Sequence, residues 1–244
     1  MKQATRRLKA RRRKRGEGCA RLPVQRVPRQ AILFLAANPR GSSPLRVSEE
    51  CADIQRELKM TMYRDDFRFE SRWAVSVDDL MRHLIEIDPT VVHLSGHGIR
   101  CSGVVLQDAQ GQPQAVPARA LAMIIGAAAT SARVVVLNAC YSADQAATLC
   151  TRIDCVIGMA GAIGDDAARA FAVRFYGALG ARRSIGNAVA QGIAVLAARQ
   201  FPDEVLPRCC TREGVNPDML FLSRRDGRPR RRVEAAHWPR PSGQ

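Results

Sequence analysis

The sequence contains no apolar run long enough to cross a membrane. Nowhere in its 244 residues do about eighteen apolar residues follow one another, so we expect no membrane span. The Arg-rich amino end is not followed by an apolar segment either, which argues against a secretory signal. These two absences predict a cytoplasmic protein.

Paired cysteines of the C-x-x-C type are also missing. The eight cysteines are scattered, and only Cys209 and Cys210 are adjacent, in a geometry that rarely forms a disulfide. Because no metal-binding spacing occurs, we expect no structural zinc, no other metal and no cofactor. Because no export signal is expected, reduced thiols are the simplest state for these cysteines.

Acidic residues are almost absent from both ends of the chain. Residues 1–29 carry twelve Lys or Arg and one acid, and residues 224–244 carry seven Arg and two acids. The stretch 30–223 is nearly neutral, with nineteen basic and twenty acidic residues. Because block charge of this kind is usually solvated, we predict two disordered basic tails around one folded domain, 30–223.

The two basic tails are candidates for electrostatic contact with nucleic acid. Modules that recognise RNA place aromatic residues among the basic ones, and Trp238 is the only aromatic residue in either tail. The tails therefore support a non-specific contact with nucleic acid better than a specific one.

Between the tails, strand patterns alternate with helix patterns. Continuous apolar runs, typical of strands buried on both faces, occur at 31–37, 90–95, 133–139 and 155–159, with weaker strand patterns at 67–73 and 103–112. Apolar residues recur at helical spacing at 45–61, 76–87, 117–127, 142–153, 165–180 and 184–199. Ser76 is a candidate N-cap of the second helix. The alternation predicts an α/β fold, with a mostly parallel central sheet and helices on both faces.

Two residues with reactive side chains come just after two of the buried strands. His97 follows the run TVVHLS, and Cys140 follows the run RVVVLNA. Ligands of parallel sheets bind outside the carboxyl ends of the strands, so both side chains face one crevice if the strands are neighbours. A cysteine thiolate is a nucleophile and a histidine transfers protons, and together they suit acyl transfer. The backbone N–H groups of Gly98 and Cys140 are candidates for binding the oxyanion.

Other interpretations of these residues stay open. A single Cys or His at a strand end is more often structural than catalytic, and it is their pairing that favours catalysis. His93 lies within an apolar run, so we expect a core residue there. The chain contains no G-x-S-x-G nucleophile elbow and no P-loop, so neither serine-based acyl transfer nor nucleotide binding is supported.

Several motifs resemble the CHAT domain, a family of caspase-like cysteine peptidases related to caspases and separase. They span about residues 30–222 and read ILFLAANP, VVHLSGHG, VVVLNACYSADQA, VIGMAGAIGDDAARAFAVRFYGALG and GVNPDMLFL. The resemblance implies a caspase-like three-layer α/β/α sandwich and a protein substrate. It also implies a catalytic dyad, in which His97 matches the family histidine and Cys140 the family nucleophile.

The same resemblance implies residues that bind the substrate. Asn138, two residues before Cys140, matches a position that helps line the S1 pocket of caspase-like enzymes, and Asp165 matches a common family Asp. Asp165 is equally suited to be the N-cap of the following helix. If its carboxylate instead lies unpaired in the pocket, we expect cleavage after Arg or Lys.

Two functions remain as candidates. The first is a cysteine endopeptidase of the CHAT type, regulated by a separate sensor protein, because family members are often fused to sensor modules and this sequence contains none. The second is a non-catalytic caspase-like scaffold whose basic tails bind nucleic acid.

Overall fold

The structure is a computed structural model that describes residues 29–223. The predicted tails, 1–29 and 224–244, lie outside the described residues except for Arg29. The strands are β1 (Gln30–Ala36), β2 (Phe67–Arg72), β3 (Val91–Ser95), β4 (Gly98–Ile99), β5 (Gly103–Gln107), β6 (Pro113–Val116), β7 (Val134–Asn138), β8 (Cys155–Met159) and β9 (Pro207–Thr211). The helices are α1 (Val47–Met60), α2 (Val77–Ile87), α3 (Ala118–Ala128), α4 (Ala143–Leu149), α5 (Asp165–Gly180) and α6 (Ile185–Ala198), with short 3₁₀ helices at Arg64–Asp66 and Pro202–Val205.

Six strands form the central sheet, in the spatial order β2, β1, β3, β7, β8, β9. The first five of these strands, β2, β1, β3, β7 and β8, run parallel, and β9 pairs antiparallel with β8. The chain runs from β1 outward to β2 and then crosses back to β3, so its winding reverses between β1 and β3. The carboxyl ends of the strands near such a reversal form the crevice where α/β proteins bind ligands. Strands β4, β5 and β6 form a separate antiparallel sheet.

Helices cover both faces of the central sheet. Successive residues of a strand point to opposite faces. Phe34 and Val136 therefore pack under α1, α5 and α6, whereas Leu33 and Val135 pack under α2, α3 and α4. All residues of β3, β7 and β8 are buried, as the continuous apolar runs predict. The predicted three-layer α/β/α sandwich with a mostly parallel sheet is confirmed.

Two elements differ from the sequence pattern. The helix expected at 142–153 is the shorter α4, which has Ser142 as its N-cap and Cys150 as its C-cap. Strand β9, PRCCT, is not predicted, because it pairs on one side only and lacks the apolar run of a central strand. The seven cysteines within residues 29–223, including the adjacent pair in β9, are free thiols. Among the helices of this part of the chain, none is long and apolar enough to span a membrane.

Ser76 begins α2, as predicted. Its Oγ accepts a hydrogen bond from the backbone N–H of Asp79 (3.2 Å), and the Asp79 carboxylate accepts one from the backbone N–H of Ser76 (3.3 Å). This capping box provides partners for N–H groups that the helix itself leaves unpaired. The Ser76 hydroxyl also donates to Asp79 (2.7 Å) and lowers the pKa of that carboxyl.

Replacing Ser76 by alanine should lower the free energy of unfolding by about 1 kcal/mol, the usual value of an N-cap. Urea denaturation measures this, with Ser48→Ala, exposed on α1, as the control that caps no helix. The pKa of Asp79 is lowered in the fold. The contribution of Asp79 to the free energy of unfolding is therefore complete above the ordinary aspartate pKa of 3.8 and is lost as the pH falls through the lowered pKa. An equal loss of stability in both variants would contradict the capping role.

Candidate active site

The two residues predicted as a dyad leave the sheet from neighbouring strands. Strands β3 and β7 are hydrogen-bonded and parallel, and their last residues, Ser95 and Asn138, are partners in register. His97 lies two residues beyond Ser95, and Cys140 lies two residues beyond Asn138. The expectation that the two strands are neighbours is therefore confirmed, and both segments begin at the same edge of the sheet.

Gly98 brings the histidine segment into backbone contact with Cys140. A Cβ atom placed on Gly98 would lie 1.9 Å from the carbonyl oxygen of Cys140 and 3.1 Å from its backbone nitrogen. Any side chain at this position would overlap the Cys140 backbone, so the close approach requires glycine. The short strand β4 that starts at Gly98 then pairs with β5, which supports the segment from its other side.

The imidazole of His97 is half-buried and held by a backbone carbonyl. Its Nε2 lies 2.9 Å from the carbonyl oxygen of Ser43, in the loop between β1 and α1. A carbonyl oxygen can only accept a hydrogen bond, so Nε2 carries the proton in this contact. In the neutral ring, Nδ1 is then the unprotonated nitrogen, and it can accept a proton as a general base.

The backbone turns sharply directly after Cys140. Tyr141 has a φ of 57°, which is uncommon for a residue with a side chain, and its N–H donates to the carbonyl of Gly161 (3.0 Å). Such backbone conformations are often found at functional sites. The guanidinium of Arg100 lies 4.9 Å from the centre of the Tyr141 ring, in a cation–π contact. The turn leaves Cys140 partly exposed, with its Sγ 3.9 Å from the carbonyl of Ile163.

Asp165 lies at the start of α5 and is paired with Arg46. It is the first residue of α5, and Gly164 is the N-cap, so the prediction of Asp165 as N-cap is wrong. Its Oδ2 accepts hydrogen bonds from the backbone N–H and from Nε of Arg46, both at 3.1 Å. Arg46 also donates to Asp166 (2.6 Å), and the two carboxylates raise the pKa of Arg46. The premise of an unpaired carboxylate is therefore also wrong.

Asn138 points into the protein beneath the dyad segments. Its side chain is 6% exposed, and Nδ2 donates to Oε1 of Glu50 at 2.6 Å. Its Oδ1 is buried and has no hydrogen-bond partner among the residues that the structure describes. His93, which the sequence predicts to be a core residue, is fully buried on β3 and contacts Glu50 and Tyr176.

The model of the CHAT domain family matches residues 4–203 of this chain. The chain belongs to the CHAT domain family. A curated relative, the Roc-COR-CHAT protease from an unknown prokaryotic organism, is 23% identical over 180 residues. These cover 71% of this chain but only 17% of the relative, so the chain spans about a sixth of the relative's length.

Solved cysteine proteases share the fold of this CHAT domain. A secreted C11 cysteine protease from Bacteroides thetaiotaomicron, solved in complex with an irreversible peptide inhibitor, gives a TM-score of 0.58 at 14% identity, covering 75% of this chain and 66% of that chain. The Arg-specific cysteine proteinase gingipain R gives a TM-score of 0.54 at 12% identity, covering 79% of this chain and 47% of that chain. At these identities the likeness concerns the fold, which is caspase-like, as the motifs imply.

Sequence reasoning missed two residues that surround the candidate site of this CHAT domain. Glu50 is 5% exposed and shares the buried stripe of α1 with Val47 and Ile54. An acid on an otherwise apolar helix stripe was the signal that pointed to it. Ser43 contacts His97 through its backbone carbonyl, which every residue type possesses, so residue identity carries no signal for this contact.

Proposed function

We propose that this CHAT domain is a cysteine endopeptidase that cleaves a protein substrate with His97 and Cys140. The observation that carries the proposal is the backbone contact between Gly98 and Cys140, because it places the segment that bears His97 against the segment that bears Cys140. The register of Ser95 and Asn138 supports it, since both segments leave adjacent strand ends. The name of the Roc-COR-CHAT protease and the shared fold of the C11 protease point to the same activity.

In the proposed reaction, the Cys140 thiol transfers its proton to Nδ1 of His97 and its sulfur attacks the carbonyl carbon of the scissile peptide bond. The backbone N–H groups of Gly98 and Cys140 bind the oxyanion that forms. The imidazolium then gives its proton to the leaving amine as the C–N bond breaks. Water, deprotonated by His97, hydrolyses the thioester and restores the thiol.

The carbonyl of Ser43 supports both states of His97 in this sequence. While the ring is neutral, the contact of Nε2–H with the carbonyl selects the tautomer that has Nδ1 available as the base. When the ring is protonated, the same carbonyl faces the positive charge and stabilises it. The loop that carries Ser43 is thereby proposed to orient the imidazole of His97. In many sites that pair a nucleophile with a histidine, a third group orients the histidine in this way.

Peptide profiling tests the proposed function directly. A library of peptides is incubated with the full chain, and the new termini are identified by mass spectrometry for the wild type and for Cys140→Ala. We expect cleavage products from the wild type that are absent with Cys140→Ala. Products that are the same for both proteins would exclude Cys140 as the nucleophile. A folded wild type that yields no products under any tested condition would favour the scaffold interpretation.

We also propose that Asp165 contributes to a preference for Arg or Lys at P1. Arg46 already donates two hydrogen bonds to Oδ2 of this carboxylate, so a basic P1 side chain that binds both carboxylate oxygens would compete with Arg46 for Oδ2. Asn138 remains a candidate for the wall of S1 through its position two residues before Cys140. Its amide donates to Glu50, so it would contribute to the wall only if that contact changes.

Arg46→Ala should strengthen the cleavage of peptides with basic P1 residues, and Asp165→Asn should weaken it. Profiling of the same library measures both shifts. Asp166→Asn is the matched control, because Asp166 also binds Arg46 but lies one residue further along α5 and is exposed. A wild-type profile dominated by acidic or apolar P1 residues would exclude this role of Asp165.

A further inference from the structure

Three side chains donate hydrogen bonds to the buried carboxylate of Glu50. His93 Nε2 and Asn138 Nδ2 lie 3.1 Å and 2.6 Å from Oε1, and Ser95 Oγ lies 2.5 Å from Oε2. All four residues are at most 6% exposed. An ionised carboxylate only accepts hydrogen bonds, so three converging donors suit its charged form.

Tyr176 of α5 extends this network by one residue. Its hydroxyl oxygen lies 3.1 Å from Nδ1 of His93. Burial raises the pKa of Tyr176 well above the ordinary value, and the charge of Glu50 adds to the shift, so the phenol keeps its proton. Tyr176 then donates to Nδ1, and the Nε2–H of His93 donates to Glu50. Each donor in this arrangement has an acceptor.

The network joins the two strands that carry the dyad. His93 and Ser95 belong to β3, Asn138 belongs to β7, and Ser95 and Asn138 are partners in register at the strand ends. Each of these two residues lies two positions before a dyad residue, so it sits one pleat below the site. Glu50 itself is on α1, the helix that follows the loop of Ser43.

We propose that Glu50 is a positioning residue, which holds the His97 and Cys140 segments and the Ser43 loop in a fixed mutual arrangement. The inference rests on the proposed peptidase function. Packing alone does not account for a charge at this place, because an apolar side chain would fill it without the desolvation that a buried carboxylate requires. Two of the three donors, Ser95 and Asn138, are instead the last residues of β3 and β7, directly below the site.

Alkylation of Cys140 by iodoacetamide tests the role on the full chain, because it reports the state of the thiol and needs no substrate. The rate is measured across pH by peptide mass spectrometry for Glu50→Gln and for Ser95→Ala. Glu50→Gln keeps the shape of the side chain but replaces one acceptor by a donor, and Ser95→Ala removes one hydroxyl. Ile54→Val is the control, because Ile54 is fully buried on the same helix without a polar contact.

In the wild type, His97 should make the alkylation of Cys140 faster than in His97→Ala. Glu50→Gln and Ser95→Ala should slow alkylation near neutral pH by about tenfold to 10²-fold, as expected for a displaced reacting group, and should shift the pH profile towards that of His97→Ala. Circular dichroism should show the native fold in both variants. Ile54→Val should lower the Tm without moving the pH profile.

The outcomes separate the two proposals. A wild-type pH profile in a folded Glu50→Gln or Ser95→Ala variant overturns the positioning role, even if the Tm falls, because the network then serves stability alone. Identical profiles for the wild type and His97→Ala overturn the dyad, and with it the role of Glu50. Either variant suffices if the other does not fold.

Discussion

Alanine at position 97 is expected to lower the turnover of a cleaved peptide by about 10²- to 10⁴-fold and to leave the fold intact. Positioned general acid–base groups contribute rate factors of this size, and His97 is proposed to act both as base and as acid. The side chain is half-buried beyond the end of β3, so its loss leaves the sheet core unchanged. Turnover is measured on a peptide from the profiling experiment, alongside the Tm.

His83→Ala is the matched control for this prediction. His83 lies on α2, on the opposite side of the sheet from α1, with its Nδ1 3.7 Å from a Glu86 carboxylate oxygen. We expect its turnover to equal that of the wild type. A His97→Ala variant that retains full turnover would mean that proton transfer in this domain does not depend on the imidazole, and the proposed dyad would then be wrong.

Gly98→Ala is expected to cause the second large loss of activity, by about 10²-fold. The added methyl group would lie 1.9 Å from the carbonyl oxygen of Cys140, so either the histidine segment or the cysteine turn has to move. A displacement of about 1 Å at a reacting group is enough for a loss of this size. The same overlap should lower the free energy of unfolding by about 1–3 kcal/mol, as measured by urea denaturation.

Gly126→Ala is the control for the added methyl group. Gly126 lies on α3, and the atoms nearest to a Cβ there belong to the flexible side chain of Arg152, which can move aside. Helix propensity favours alanine over glycine by up to about 1 kcal/mol, so we expect full activity with equal or higher stability. A Gly98→Ala variant with wild-type turnover would show that the contact with Cys140 does not control the geometry of the reacting groups.

Elements that depend on local pattern were predictable from the sequence. The buried strands are recognised as continuous apolar runs, and Ser76 is recognised because it is a favourable N-cap residue directly before a helical pattern. A parallel sheet also places the carboxyl ends of its strands at one edge, so His97 and Cys140 were expected at that edge. That their two strands are neighbours was implied only by the resemblance to the CHAT domain, not by the local pattern.

Contacts between distant residues were not predictable in the same way. Arg46 and Asp165 are 119 residues apart, and many pairs of Arg and Asp would satisfy the same charges. Gly164 is the N-cap of α5, and Asp165 already lies in the first helical turn. The sequence does not fix such a boundary, because it depends on how the preceding loop enters the helix. Strand β9 forms because it pairs with β8. A short segment with exposed residues carries no sequence pattern that predicts this pairing.

The candidate site draws on parts of the chain that are made at different times. Ser43, whose carbonyl contacts His97, is translated early, and Ile163, whose carbonyl faces the Cys140 thiol, is translated much later. Ribosomes add about 5–20 residues per second, so on the order of ten seconds separates these two residues in a growing chain. Cys140 itself is made only 23 residues before Ile163, so the cysteine lacks this part of its surroundings for the last few seconds of that interval. Under the proposed function, a nascent CHAT domain would therefore lack a complete site until its own synthesis has passed Ile163.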